Sequence, residues 1–546
     1  MSVKVAIEGC CHGTLNAIYK AVPIDTELLI ICGDFQAFRN QADLNGASIP
    51  KKYQQLGDFH EYYYGKRKAP IPTVFIGGNH EASTYLQELK FGGWVAPNIY
   101  YLGEFGSIWF KGLQIGGISG IFNKDSFINN LIDDEMYPYD NRTLRSVYHV
   151  KPKTFLKMAL MNHNLDIILS HDWPLNIYKY GDADRLLRQK KFFKNDMIQG
   201  TLGSPLNEFL LNYLRPKNWF SAHLHVKFEA LVRFDKKRRL DEIDISSSKI
   251  KQNREELNQA IANQHEIQEI EEDKTMKQPM TNEIELEMDD NHDIKKDSLM
   301  LNVHEIALDM DDTKESTKNM HEIELDMDDE LDSSVKKPDI EDEKNLSPNE
   351  TGLNEEPKPQ VNDKQGVPKK KNNQKLDTNH NIKESPESII YHNVSTYSTS
   401  EFPATSTSFL ALDKCLPKRQ FLAVKHIPIS DSKHYSVESD KFFYSKRSIA
   451  INKVIETMLK SGKLPLKSID MNRVLNDPLN FTIINELLPM IETELEDLNR
   501  FPNSHFEIPE NFQSTVPQNP TRLQYWPNNQ TKYYCDTFSV PYSQIK

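Results

Sequence analysis

The sequence predicts an α/β fold, in which β-sheets are flanked by helices, followed by a long charged segment and a second, smaller folded region. Short runs of aliphatic residues recur through the first 230 residues, and each ends in a polar or glycine-containing turn. Runs of four to six such residues bounded by turns are typical of buried strands. Stretches with helical spacing, such as 15–22 and 83–90, lie between these runs. Alternation of this kind indicates sheets and helices packed in layers.

The charge of the chain is unevenly distributed, and this divides it into three parts. Residues 246–390 hold 37 acidic and 19 basic side chains, a net charge of −18, whereas the whole chain carries −13. The remainder is therefore slightly basic, which permits a polyanionic partner. We expect a catalytic domain at 1–245, a disordered acidic linker at 246–390 and a C-terminal region at 391–546.

The acidic linker contains a degenerate repeat, whose copies begin at His265, Asn282, His304 and His321. Repeats can indicate a solenoid, but these units are short, irregularly spaced and lack a second apolar element for stacking. Disorder is therefore the preferred interpretation. The basic stretch 368–375 is either a solvated charge run or a nuclear import signal.

The sequence again predicts folded structure after about residue 392. Apolar runs at 407–429 predict two strands that return to the N-terminal domain, because no large core of their own accompanies them. Residues 448–462 and 485–498 have helical periodicity. The C-terminal region is therefore expected to pack partly on the catalytic domain.

Cysteine content and hydropathy indicate an intracellular protein that does not span a membrane. The five cysteines form an odd, scattered set, which argues against a disulfide framework and for a reducing compartment. No apolar run approaches the roughly 20 residues that span a bilayer. We expect no membrane association.

Each early strand is followed by side chains of the types that bind metals. Any one of these groups alone is weak evidence for a metal site, since a His-x-His or a Gly-Asp is common on ordinary surfaces and turns. Ligands gather at the carboxyl ends of strands in open α/β sheets, so five such strand ends in order predict one site. The candidate residues are Cys10, His12, Asp34, Asn79, His80, His171, His223 and His225.

The order of these groups resembles the calcineurin-like metallophosphoesterase pattern, whose first element is normally Asp-x-His and whose last is Gly-His-x-His. Here the first is Cys-x-His and the last is Ala-His-x-His. Longer strings, including GCCHG, FIGGNHEASTYLQEL, GGWVAPNIYYLG and FLALDKCLPKR, resemble the RNA lariat debranching enzyme family. The resemblance implies a sandwich of two mixed β-sheets flanked by helices, with a smaller C-terminal region and the disordered acidic insert outside it.

The resemblance also implies roles for the candidate residues. One metal ion would be held by Cys10, His12 and His225. The other would be held by Asn79, His171 and His223, and Asp34 would bridge the two ions. A carboxylate can span ions about 3.5–4 Å apart, and a water or hydroxide between two ions has a lowered pKa and can attack phosphorus. His80 would protonate the departing oxygen as general acid or stabilise the charge that develops on phosphorus.

The ligand types bear on the identity of the two divalent ions. A thiolate is a soft ligand, so Cys10 in place of Asp favours Zn²⁺ at its position. The neighbouring nitrogen and oxygen ligands suit Fe²⁺, Mn²⁺ or Zn²⁺. The resemblance implies Fe²⁺ paired with Zn²⁺, with Mn²⁺ able to substitute.

The implied substrate is the excised intron lariat, a branched RNA whose branch adenosine carries a 2′,5′-phosphodiester. Residues 123–150 correspond in position to the family's lariat-recognition loop, and they combine aromatic side chains that stack on bases with arginines that pair with phosphate. Long connections without this role also occur, although they are usually functional or disordered. Arg39 either holds a phosphate oxygen or buttresses a loop. The candidate substrate contacts are Arg39, Tyr137, Tyr139, Arg142, Arg145, Tyr148 and His149.

Two other functions compete with hydrolysis of the 2′,5′ bond. The fold would also suit a metallophosphoesterase that acts on another phosphodiester, or a catalytically inactive scaffold that binds branched RNA. The intact set of site residues argues against the scaffold. We further expect a nuclear location, with the cytoplasm as a second one, and contacts of splicing or RNA-turnover factors with the acidic linker.

Overall fold

The computed structural model describes residues 1–129, 137–163, 165–234, 405–464, 466, 470–476, 482–517 and 520–542. The described residues belong to one compact unit. The predicted disordered linker at 246–390 lies outside them, so neither its disorder nor the proposed domain boundaries are tested.

Thirteen strands are present in the described part of the chain. They are β1 (Ser2–Glu8), β2 (Leu28–Ile31), β3 (Thr73–Phe75), β4 (Gly93–Ala96), β5 (Ile99–Tyr101), β6 (Phe105–Phe110), β7 (Leu113–Ile118), β8 (Ile167–Ser170), β9 (Asn218–Ser221), β10 (Phe228–Arg233), β11 (Ser406–Ala411), β12 (Leu422–Pro428) and β13 (Phe443–Tyr444).

These strands form two mixed sheets, as predicted. The first sheet has the order β12-β1-β2-β3-β5-β4, in which β1, β2, β3 and β5 are parallel and the two edge strands are antiparallel. The second has the order β10-β11-β9-β8-β7-β6-β13, with a parallel centre of β11, β9, β8 and β7. Parallel strands in both sheets bring several carboxyl strand ends together, which is the arrangement that the site requires.

Helices connect and cover the strands. The α-helices are α1 (Leu15–Ala21), α2 (Phe59–Tyr63), α3 (Ser83–Glu88), α4 (Lys124–Asn129), α5 (Thr143–Ser146), α6 (Pro152–Ala159), α7 (Ala183–Gln189), α8 (Phe193–Gln199), α9 (Pro205–Leu214), α10 (Lys446–Lys460), α11 (Met471–Asn476), α12 (Ile483–Leu498) and α13 (Asn529–Phe538). Short 3₁₀ helices occupy Gln41–Gly46, Lys51–Tyr53, Ile177–Tyr180 and Asn503–Phe506. Helices α10 and α12 pack against each other in the C-terminal region.

The strands predicted at 407–429 return to the N-terminal domain, and the structure confirms this. They do not pair with each other, however. Strand β11 is inserted between β9 and β10, with Phe409 opposite Trp219, whereas β12 pairs with β1 at the edge of the other sheet, with Lys425 opposite Val5. The C-terminal region therefore completes both sheets of the N-terminal domain.

The central strands are buried on both faces, which explains their continuous apolar runs. In β2, Leu28 and Ile30 belong to the large core cluster, and Leu29 and Ile31 belong to the smaller cluster that also contains Leu15 of α1. Side chains alternate between the two faces of a strand, so a strand covered on both sides needs apolar residues at every position.

No helix in the described part of the chain is long and apolar enough to cross a membrane.

Candidate metal centre

The eight candidate residues follow five strands, and each lies just beyond a carboxyl strand end. Three of the strands belong to the first sheet and two to the second. Cys10 and His12 follow β1, Asp34 follows β2, Asn79 and His80 follow β3, His171 follows β8, and His223 and His225 follow β9.

Four of these side chains form one compact cluster. The ligand atoms of Cys10, His12, Asp34 and His225 all lie within 4.8 Å of one another. The Nε2 atoms of His12 and His225 are 3.1 Å apart, and His12 Nε2 is 3.6 Å from Asp34 Oδ2. Two imidazole nitrogens facing each other beside a carboxylate and a sulfur are a donor set that suits Zn²⁺ or a similar divalent ion.

A second group of candidate ligands lies on the other oxygen of Asp34. His171 Nε2 is 3.4 Å from Asp34 Oδ1, and the rings of His171 and His223 have centroids 5.0 Å apart. Asn79 Oδ1 and His171 Nε2 are buried atoms without a hydrogen-bond partner among the described residues. Buried polar atoms are rarely left without partners, so their presence here fits a second divalent ion. Asp34 therefore lies between the two groups, where a bridging ligand is expected.

Adjacent cysteines Cys10 and Cys11 face different parts of the protein. Cys10 belongs to the large core cluster beside the candidate ligands, and its sulfur accepts a hydrogen bond from the His223 backbone N–H at 3.2 Å. Cys11 packs in the smaller apolar cluster. Burial, followed by the charge of Asp34, raises the pKa of the Cys10 thiol. A nearby cation is what would hold this sulfur as a thiolate.

The backbone at the site adopts conformations that most residues avoid. His12, Asp34, His223 and His225 have φ angles of 45°, 47°, 64° and 48°, in the left-handed region. Such conformations cost about 1–3 kcal/mol each and persist where the surrounding structure imposes them, often at functional sites. The three turns that contain these four residues thus direct their side chains inward at the expense of local stability.

Glu81, in the turn after β3, holds two ligand-bearing turns together. Its carboxylate accepts hydrogen bonds from the backbone N–H groups of Phe35 at 2.7 Å, Gln36 at 2.9 Å and Gly78 at 3.0 Å. Burial, followed by the charge of Asp34, raises the pKa of Glu81 to about 7. Glu81 is not among the predicted ligands or substrate contacts; the sequence offers it either as an acceptor for a ligand histidine or as a turn residue, and these contacts are those of a turn residue. Its position in Gly-Asn-His-Glu, where a tight turn leaves backbone N–H groups without partners, was the available signal.

The Asp34 carboxylate stays ionised in spite of its burial. Burial opposes ionisation, but the charges of His171 and His80 hold the pKa of Asp34 well below its ordinary value. A carboxylate kept anionic at the centre of a histidine-rich site is suited to binding cations.

The His80 imidazole is oriented by the chain on both sides of the site. Its Nδ1 lies 2.9 Å from the Ser48 carbonyl oxygen, which makes Nδ1 the protonated nitrogen, and its backbone N–H donates to Asp34 Oδ1 at 2.9 Å. Its Nε2 lies 3.2 Å from Asn79 Nδ2. The ring is half-buried beside the His12 ring, with centroids 5.8 Å apart. This placement suits a group that handles a proton at the edge of the metal centre.

Arg39 does not lie where the expected contact with substrate would require it. The side chain is fully buried, and its guanidinium donates to Asp43 and Glu88 at 2.9–3.1 Å while lying over the Tyr85 ring. A guanidinium held by two buried carboxylates cannot reach a phosphate in solution. Arg39 therefore buttresses the loop after Asp34, the second of the two roles that the sequence predicts for it.

The predicted recognition loop is described in part, since 130–136 lie outside the described residues. Arg142 and Arg145 are exposed around α5. The Tyr148 hydroxyl lies 3.4 Å from Ser48 Oγ, next to the carbonyl that orients His80. The roles of these three side chains as substrate contacts stay predictions.

Three other predicted substrate contacts in this loop, Tyr137, Tyr139 and His149, have side chains that contact other residues of the protein. The Tyr139 hydroxyl donates to Gln87 Oε1 at 2.8 Å, and the Tyr137 ring packs edge-on against the Tyr139 ring. His149 is buried, with Nδ1 2.8 Å from Ser126 Oγ, and its role as a substrate contact stays a prediction.

Comparison with known proteins agrees with this geometry. Residues 3–227 match the family model for calcineurin-like phosphoesterases. Residues 404–543 match the model for the C-terminal domain of the lariat debranching enzyme. The fold and site thus define the N-terminal part as a calcineurin-like phosphoesterase domain. The same chain thus carries a match to each of these two domain models, one over its N-terminal part and one over its C-terminal part.

Individual relatives agree with these two matches. The chain is 50% identical over 242 residues to the lariat debranching enzyme of Danio rerio, covering 43% of this chain and 42% of that protein. It is 49% identical over 242 residues to that of Homo sapiens, covering 43% and 44%. It is 48% identical over 238 residues to that of Arabidopsis thaliana, covering 42% and 56%. The matched part spans about half the length of these curated relatives.

Proposed function

We propose that this protein hydrolyses the 2′,5′-phosphodiester at the branch point of excised intron lariats. The observation that carries the proposal is the presence on one chain of a phosphoesterase-like side-chain cluster that includes Cys10 and of a region that completes both sheets and matches the C-terminal domain model of the lariat debranching enzyme. The products would be a linear intron with a free 2′-hydroxyl at the branch adenosine and a 5′-phosphate at the former intron end.

The donor set supports two divalent ions. Cys10, His12 and His225 would hold one and Asn79, His171 and His223 the other, with Asp34 shared. We propose Zn²⁺ on the thiolate side and Fe²⁺ on the other, with Mn²⁺ able to replace Fe²⁺. When bound, two such ions supply a nucleophile at neutral pH and offset charge on the phosphate.

His80 would supply the proton that the leaving oxygen needs. Its Nδ1–H is committed to the Ser48 carbonyl, so His80 would act as an acid in its imidazolium form, which carries the second, transferable proton on Nε2. A positioned general acid typically contributes about 10²–10⁴-fold to the rate. Because Ser48 also lies beside Tyr148 of the recognition loop, binding of the branch and orientation of His80 would be linked through one residue.

The cellular setting follows from the substrate. We propose a nuclear location, where lariats are released, with the cytoplasm as a second location. Splicing or RNA-turnover factors would meet the protein through its acidic linker.

A comparison of branched and linear RNA tests the proposal. The full-length protein is incubated with a synthetic branched RNA and with a linear 3′,5′ RNA, before chelation, after chelation and after readdition of metal. We expect cleavage confined to the 2′,5′ bond, lost on chelation and restored by metal. Equal cleavage of linear RNA would indicate a general phosphodiesterase, and binding without cleavage under every metal would indicate a scaffold.

A further inference from the structure

A basic surface lies beside the candidate metal centre, apart from the recognition loop. It is formed by Lys414, Lys418 and Arg419 in the turn after β11 and by Lys190 and Lys191 between α7 and α8. We call it the flanking surface. None of these five residues is used by the function proposed above.

The turn after β11 packs directly on the loop that carries Cys10. The Cys10 backbone N–H donates to the Asp413 carbonyl at 3.4 Å, and the Cys415 N–H donates to the Cys10 carbonyl at 3.3 Å. A Cβ added at Gly9 would lie 2.8 Å from the Leu412 carbonyl carbon, so glycine is needed for this approach. The C-terminal region thus forms a wall of the metal centre on its Cys10 side.

The charges of the two segments converge near this wall. Residues 183–194 contain five basic side chains and one acidic side chain. Lys414 pairs with Cys10 in an isolated parallel bridge, and Arg419 Nη1 lies 3.6 Å from Asp413 Oδ2 in the same turn. Burial raises the pKa of Asp413, and the charges of Arg419, Lys190 and Lys414 oppose this rise, which agrees with Lys190 facing the same turn.

Exposed side chains accompany these charges. Lys191, Lys418 and Arg419 are exposed, and Phe192 is 40% exposed with Lys190 Nζ 5.5 Å from its ring centroid. Proteins bind single-stranded RNA with two elements. Cationic side chains contact the phosphate backbone, and aromatic rings stack on the bases. An acidic protein partner would pair with the cations of this surface but would not require the exposed Phe192 ring.

We infer that the flanking surface binds the phosphodiester backbone of one RNA strand that leaves the branch point on the Cys10 and His225 side of the metal centre. The inference rests on the proposed function, which puts the branch phosphate at the metal centre. A branch joins three strand segments, so a site that recognises only the branch nucleotide would leave the extending strands unheld. Cationic side chains bind phosphates irrespective of base sequence, which suits introns of differing sequence.

The test uses the full-length protein with three substitutions, Lys191→Gln, Lys418→Asn and Arg419→Gln. Asn is chosen because Lys418 has a φ of 63°, which Asn tolerates better than most residues. The matched control removes the same charge from exposed positions in the C-terminal region, with Lys460→Gln, Lys463→Gln and Arg500→Gln. The probes are a branched RNA with extended arms and a branched trinucleotide that has no arms.

Binding of the extended RNA is measured in EDTA over a series of salt concentrations, and hydrolysis of the trinucleotide is measured with metal. We expect the triple variant to bind the extended RNA more weakly, on the order of tenfold, and its log K against log salt slope to fall by roughly 2, or about 0.7 for each lost phosphate contact. Hydrolysis of the trinucleotide and the metal content should match the unsubstituted protein.

Three outcomes would overturn the inference. They are an unchanged salt slope, an equal loss in the control variant, and a joint loss of trinucleotide hydrolysis and metal, which would make the turn only a support for the Cys10 loop. Failure of the proposed function gives a different result, in which the unsubstituted protein cleaves neither branched substrate. The binding comparison in EDTA remains informative in that case.

Discussion

Gly78 lies where the Asp34 and His171 side chains approach each other, so a methyl group there tests whether these two side chains share one site. A Cβ at Gly78 would lie 2.5 Å from Asp34 N and 2.7 Å from His171 Nε2, and closer still to Asp34 Oδ1. Ordinary non-bonded contacts are about 3.5 Å, so Gly78→Ala must displace these groups by about 1 Å.

The displacement has two separable consequences. Overpacking of this kind costs about 1–3 kcal/mol in the free energy of unfolding. A 1 Å misplacement of reacting groups can lower the rate on the order of 10²-fold. Since Asp34 lies between both ligand groups, we expect Gly78→Ala to lose bound metal and about 10²-fold in turnover of branched RNA while remaining folded.

The assay combines elemental analysis of the purified protein, denaturant unfolding and turnover of branched RNA. Gly200→Ala is the matched control, because Gly200 has a φ of 65° and nothing lies within 4 Å of an added Cβ. It should lose about 1–2 kcal/mol of stability from backbone strain alone, with metal content unchanged. Gly78→Ala with full metal and full turnover would refute the placement of Asp34 between two ion positions.

Three further predictions concern single side chains. His80→Ala should retain both metals and lose about 10²–10⁴-fold in turnover; loss of metal would make His80 a ligand instead. Cys10→Ser should lower the zinc content measured by elemental analysis, whereas Cys11→Ser should leave it unchanged, and equal effects would contradict their separate surroundings. Burial lowers the pKa of His434, which stacks on Trp109, from 6.5 to about 4. The unfolded chain therefore binds more protons between these values, and stability falls as pH drops through this window. This fall should be smaller in His434→Gln by denaturant unfolding, and an identical pH profile would contradict the assignment.

The strand ends could be predicted from the sequence because their signals are local. A short apolar run that stops at Gly33-Asp34 or at Gly77-Gly78-Asn79 identifies both a buried strand and the turn after it. Since carboxyl ends of parallel strands meet at one edge, the order of these turns was enough to predict that their side chains converge.

What the sequence could not indicate depends on contacts between distant segments. Strand β11 pairs with β10, although the paired residues are about 180 positions apart in the sequence. No local pattern specifies that β11 is inserted beside β9. Arg39 was ambiguous for the same reason, because its partner Glu88 lies 49 residues further along the chain. The left-handed turns at His12 and His225 were equally hidden, since a positive φ is uncommon at any residue other than glycine and a histidine alone does not specify it.

The most direct test of the central claim is the fate of water oxygen during cleavage of a branched RNA. The reaction is run in ¹⁸O-labelled water with metal present, and the products are analysed by mass spectrometry. We expect one ¹⁸O atom in the 5′-phosphate of the released strand and an unlabelled 2′-hydroxyl on the branch adenosine. Label on the 2′-hydroxyl, or cleavage of 3′,5′ bonds at a comparable rate, would contradict it.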